Sequence, residues 1–152
     1  MWRILMIVLL MPSVAYAQSK LDQADHALDH IHSWHSLDQW RVKYSPTYDD
    51  GYLSEIVASF VEEMFANNWK SLPKLVSLSK SSPGLFKFAV DHLGDITSCD
   101  GAKKILINAT EMCPIGYKSY CGQIERQLDT SDAAPQCLPP KLRRSTKFEV
   151  HN

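Results

Sequence analysis

Cysteine is missing from the first 98 positions of this 152-residue chain, and glycine (6) and proline (8) are sparse. So little glycine and proline excludes collagen-like and low-complexity architectures. An excess of either charge is also lacking. Sixteen basic residues face seventeen acidic ones, a formal net charge of −1, so nothing in the overall charge calls for nucleic acid as a partner. No apolar run after Met11 approaches the roughly 20 residues of a membrane-spanning helix, so no stable membrane insertion is expected of the mature chain. Gly-x-Ser-x-Gly, His-Glu-x-x-His and a glycine-rich phosphate loop are all absent, and with them the best-defined hydrolase and nucleotide-binding motifs. What remains is 45% apolar and 22% charged, the composition and length of one soluble globular domain.

The N-terminus reads as a leader. Arg3 supplies a positive charge, Ile4 to Met11 is an unbroken apolar run, and Ala15-Tyr16-Ala17 offers small residues on either side of a bulkier one. That is the three-part pattern of a secretory signal peptide, residues 1–17, with cleavage expected before Gln18. A membrane anchor is the competing reading, but the stretch is short for one. The expected location is therefore periplasmic or secreted. The charge of the remaining chain is uneven. Residues 18–66 carry nine acids and three bases, net −6, and residues 67–152 carry eight acids and twelve bases, net +4. Such asymmetry can assist association or simply solubilise two ends of one domain.

All four cysteines, Cys99, Cys113, Cys121 and Cys137, fall in the last third. Export would place them where disulfides persist. Four cysteines allow three pairings. Spacing favours Cys113–Cys121 around a loop with Pro114 and Gly116, which leaves Cys99 with Cys137. No Cys-x-x-Cys pair is present, as zinc thiolate and thioredoxin-type sites would require.

The body, residues 18–128, is expected to be all-α: about six short helices in a compact bundle or a HEAT-like stack. Leu53, Ile56, Val57, Phe60, Val61, Met64 and Phe65 form an apolar stripe at helical spacing, with Phe60 at its centre. Asp49 and Asp50 are placed to cap its start, and Asn67-Asn68 to stop it. Ser71 with Pro73, Ser82-Pro83, and Asp100 mark further starts. Gly94 marks a stop. One helix face should hold Ala102, Ile105, Leu106, Ala109 and Met112, and a last helix should run from Tyr117 to Leu128. Residues 129–152, with Pro135, Pro139, Pro140 and the basic Lys141, Arg143, Arg144 and Lys147, are expected to form an extended or disordered basic tail.

Asp22 to His35 holds four histidines and three aspartates in fourteen residues. On one continuous helix, Asp22, His26 and His30 fall at i, i+4 and i+8 along a stripe, and carboxylate and imidazole are ordinary zinc ligands. The other reading is a solvated helix face, which needs no cofactor. Ser36-Leu37-Asp38-Gln39 matches a capping box, so the helix is expected to break there. Trp34, Leu37, Trp40 and Tyr44 are expected in the core, and His35 near the core or a helix end. His92 beside Asp91 is the remaining candidate for acid–base chemistry, for which adjacency in sequence is not enough. Asn108-Ala109-Thr110 is a formal glycosylation acceptor inside an expected helix.

Taken together, Tyr48-Asp49-Asp50-Gly51, Asn68-Trp69-x-x-Leu72-Pro73-x-Leu75, Phe86-x-Phe88-x-x-Asp91-His92, Asn108-Ala109 and Cys113-Pro114-x-Gly116 with Cys121 resemble small exported helical proteins of bacteria. The resemblance spans residues 33 to 128 and implies the fold. No catalytic residue transfers with it. Some exported bacterial proteins of this size block toxins, so the expected role is binding a protein partner as an immunity or inhibitor-like module. Metal binding through Asp22, His26 and His30 is the alternative, and a small enzyme using His92 or the histidine-rich helix a third.

Overall fold

The structure, a computed structural model, describes residues 12–95, 98–130 and 137. It is all-α: seven α-helices and two 3-10 turns lie among the described residues, with no strand. They run α1 Pro12–Leu28, α2 Trp34–Tyr48, α3 Gly51–Asn67, a 3-10 turn Trp69–Ser71, and α4 Leu72–Ser81. Then come α5 Leu85–Asp91, a second 3-10 turn His92–Asp95, α6 Cys99–Glu111 and α7 Lys118–Thr130. Residues 1–11 of the expected leader lie outside the described residues, as does the expected basic tail beyond Thr130 apart from Cys137. No helix among the described residues is long and apolar enough to cross a membrane.

Helix α3 is the axis of a bundle. It packs most extensively on α6 and also touches α1, α2 and both 3-10 turns, so the helices gather around it and do not file past as a linear stack. Its buried face is Leu53, Val57, Ala58, Val61, Met64 and Phe65. Val57 and Val61 are fully enclosed, whereas Ile56 and Phe60 are only half-buried. The stripe is therefore centred about one residue away from Phe60. Helices cover α3 on more than one side, which draws in Ala58 and leaves Phe60 at the margin, edge-on to Trp34 at 5.9 Å.

The break between α1 and α2 falls earlier than the sequence suggests. Chain direction changes at Asp29–Ser33, where His30 N–H and Ile31 N–H donate to Ala27 and Leu28 carbonyls. Ser33, not Ser36, caps α2: its Oγ accepts from Ser36 N–H at 3.2 Å, and Ser36 Oγ accepts from Ser33 N–H at 3.0 Å. The reason is packing. Trp34, Leu37, Trp40 and Tyr44 all face the core, so they must share one helix, and that helix must start before Trp34. His35, the second residue of α2, is exposed; of its two expected places, near the core or at a helix end, it takes the helix end. Pro46 lies inside α2 and cannot donate to the Val42 carbonyl. Both residues are exposed, where water can take that carbonyl.

The other boundaries follow local chemistry. Asp50 is the N-cap of α3 but makes no side-chain cap bond; Asp49 is used elsewhere. Gly51 has φ +52 at this elbow, the region that glycine enters without strain. Helix α5 starts at Leu85, after Gly84 (φ +93), so Ser82-Pro83 is the turn before the helix and not its first turn. Gly94 sits within a 3-10 turn and does not end α5. Ser98 caps α6 by accepting from Gly101 N–H at 2.8 Å.

Polar ties close the seams. The three described tryptophan indoles each donate across the bundle: Trp34 to Ser71 Oγ, Trp40 to the Ala24 carbonyl and Trp69 to the Met112 carbonyl, at 2.8–2.9 Å. Asp38 Oδ1 accepts from Arg41 and from Ser82 Oγ–H, clamping α2 onto the turn before α5. Asn108 Nδ2 donates to the Phe65 and Ala66 carbonyls at 2.9 and 3.1 Å. It thus serves the last turn of α3, whose carbonyls lack helical donors. Among the described residues no buried side-chain nitrogen or oxygen lacks a partner.

Candidate functional site

The histidine-rich stretch is split between α1, the turn and α2. Asp22 and His26 are exposed on α1, and His30 is exposed in the turn beyond it. Asp22 Oδ1 accepts from Gln18 at 3.2 Å. His26 Nδ1 lies 3.4 Å from Asp29 Oδ2, and the His26 and His30 rings meet edge-on with centroids 5.3 Å apart. The i+8 alignment of His30 assumed a helix that ends at Leu28. No group of three or more His, Cys, Asp or Glu side chains among the described residues is placed to hold a metal ion. A shallow, open depression lies beside Gln18, Asp22 and His26.

His92 is buried, 5% exposed. Its Nδ1 lies 2.8 Å from the Phe88 carbonyl and its Nε2 2.9 Å from Asp49 Oδ1. The carbonyl can only accept, so Nδ1 carries a proton and donates. The sequence neighbour Asp91 is not its partner; Asp91 turns to Lys87. Both ring nitrogens are thus engaged, one by a backbone carbonyl and the other by a carboxylate. The arrangement pins the α2–α3 elbow to the end of α5.

The cysteines pair as Cys113–Cys121 and Cys99–Cys137. The first bridge closes a loop between α6 and α7 and is held from several sides. Cys121 is buried, and its N–H donates to the Tyr117 carbonyl. Tyr117 N–H donates to the Pro114 carbonyl across a tight turn, with Gly116 at φ +86. Tyr120 stacks edge-on against Phe86 of α5 at 4.9 Å. On the other side the Met112 carbonyl is fixed by the Trp69 indole.

This anchored segment carries apolar side chains into water. Ile115, at the tip of the turn, is fully exposed, Met112 is 62% exposed and Ile107 on α6 is 46% exposed. Met112 was expected on the buried face of α6. Instead it is the C-cap, beyond the last helical turn, where the backbone no longer follows the face of Ala102, Ile105, Leu106 and Ala109. The exposure of Ile115 is the feature that reading for helix faces overlooked. One signal was available: an isoleucine between Pro114 and Gly116, inside a short disulfide loop, has no room to fold back on a core.

A second depression, at the α3–α6 seam, is lined by Ser59, Glu62, Glu63, Ala66, Asn67 and Ser98. Glu62 accepts a hydrogen bond from the Ser98 hydroxyl, and a methyl group on Gly101 would overlap its carboxylate. Glu62 therefore belongs to the start of α6, where a negative charge is favoured. The formal glycosylation acceptor Asn108 has its amide nitrogen committed to two carbonyls. On comparison with known proteins, no family model, no curated protein and no solved structure matches this chain.

Proposed function

We propose that this chain is an exported helical binding module that docks a protein partner, as immunity and inhibitor-like proteins do, through the segment Ile107–Ile115. One observation carries the reading: Ile115 stands fully exposed on a loop fixed by a disulfide, an indole–carbonyl bond and an aromatic contact. Exposed isoleucine gains nothing for the isolated fold. A loop already ordered gives up little further freedom on binding, which is the main cost that preorganisation removes. Apolar anchors on such loops enter partner pockets and dominate interface energetics. The leader-like N-terminus and the two disulfides support an oxidising setting outside the cytoplasm.

A photo-crosslinker tested at two positions in the native host probes this reading. Placed at position 115, it should capture one discrete protein. Placed at exposed Lys80 of α4, it should not. Equal capture at both positions, or none at 115, would sink the proposal.

A further inference from the structure

The two disulfides sit in opposite surroundings. Cys121 is 1% exposed and belongs to the hydrophobic core with Ile124 and Leu128. Cys99 is exposed as the first residue of α6, and its partner Cys137 is half-exposed. Exchange requires a thiolate to approach one sulfur along the S–S axis and to expel the other as a thiolate. At Cys113–Cys121 neither direction is open. Attack on Cys121 is blocked by the core, and attack on Cys113 would expel a charged sulfur into it, at the cost of burying an unpaired charge. At Cys99–Cys137 the charge would develop on Cys99 Sγ, in water and at the positive end of a 13-residue helix. The neighbouring Asp100 faces Lys103 at 3.9 Å, which offsets its opposing charge.

We propose that Cys99–Cys137 is a thiol–disulfide exchange site for small-molecule thiols, opening while Cys113–Cys121 stays closed. An incoming thiolate attacks Cys137 Sγ. The new S–S bond forms there, the Cys99–Cys137 bond breaks, and its electron pair leaves on Cys99 as thiolate. A second thiolate attacks the mixed disulfide, releases Cys137 as thiolate and departs as the oxidised thiol dimer. Two electrons pass from two thiols to the bridge. Opening detaches position 137, seven beyond the end of α7, from the start of α6, while the core bridge leaves the helical body intact. This reading does not depend on the partner-binding proposal.

The test uses the oxidised full chain and reduced glutathione. Samples are quenched over time, free thiols alkylated, and peptides mapped by mass, with helical circular dichroism followed in parallel. Cys99 and Cys137 should become alkylatable at least about 10-fold faster than Cys113 and Cys121. The trapped glutathione should sit on Cys137, and the helical signal should persist. Equal rates, the reverse order, no opening, or opening only with loss of helix would overturn the proposal. Glutathione trapped mainly on Cys99 would overturn the direction of attack.

Discussion

Replacing Asn108 isolates the seam that holds α6 to α3. Its amide nitrogen donates to the Phe65 and Ala66 carbonyls at 2.9 and 3.1 Å, from a half-buried position on α6. Asn108→Ala removes both donors. Each intramolecular hydrogen bond contributes about 0.5–1.5 kcal/mol net, so the pair should be worth about 1–3 kcal/mol. The lower end applies if water reaches the two carbonyls. Asn108→Asp changes shape hardly at all but turns the donor into an acceptor facing two acceptors. It should cost more than the alanine change, because repulsion adds to the lost bonds. Urea unfolding at neutral pH, with slopes compared to confirm an unchanged denatured state, reads both numbers. The order parent, then Ala, then Asp is expected. Both variants within about 0.3 kcal/mol of the parent would mean that Asn108 is an ordinary surface side chain and that the seam is held by apolar packing alone.

Phe65 is 1% exposed and Phe60 half-buried, so Phe65→Ala should cost about 3–5 kcal/mol and Phe60→Ala clearly less; equal losses in urea unfolding would mean the buried face of α3 was misassigned. Burial of Glu125, reinforced by Asp129 and partly opposed by Arg126, raises its carboxyl above the ordinary glutamate range. Such a group favours the fold while protonated, below about pH 4.3, and loses that contribution as pH rises through the raised value. Glu125→Gln should therefore be more stable than the parent at pH 7, with the gap closing toward pH 4; a less stable variant at pH 7 would contradict this. Micromolar zinc should leave the melting temperature unchanged, and His26→Ala and His30→Ala should behave as the parent does. A zinc-dependent rise lost in either variant would instead favour a metal site built on Asp22, His26 and His30.

Much of the fold was legible because helical periodicity survives in the core. The stripe of α3, the core quartet Trp34, Leu37, Trp40 and Tyr44, and the stop at Asn67-Asn68 all rest on local spacing and capping. Spacing likewise favoured the observed cysteine pairing. What escaped was set by tertiary contact. Ser33 and Ser36 both fit a cap, and only the need to bury Trp34 chooses between them. Asp49 fits a helix cap but serves His92, 43 positions away. Met112 continues a helical face in sequence, yet its carbonyl is taken by Trp69 just as α6 ends. The candidate interface was least legible. Ile115 counts as one more apolar residue until the structure shows it fully exposed at the tip of its turn.

If Ile115 anchors a protein partner while contributing nothing to the fold, its replacement should separate binding from stability. The most direct test measures binding of the protein captured at position 115 to the parent chain and to Ile115→Asp, by calorimetry. Unfolding in urea should be unchanged in the variant, within about 0.5 kcal/mol, as for a surface substitution. Affinity should fall at least about 30-fold, the loss of an anchor worth about 2 kcal/mol or more. Unchanged affinity with an intact fold would mean that Ile115 is not an anchor for that partner.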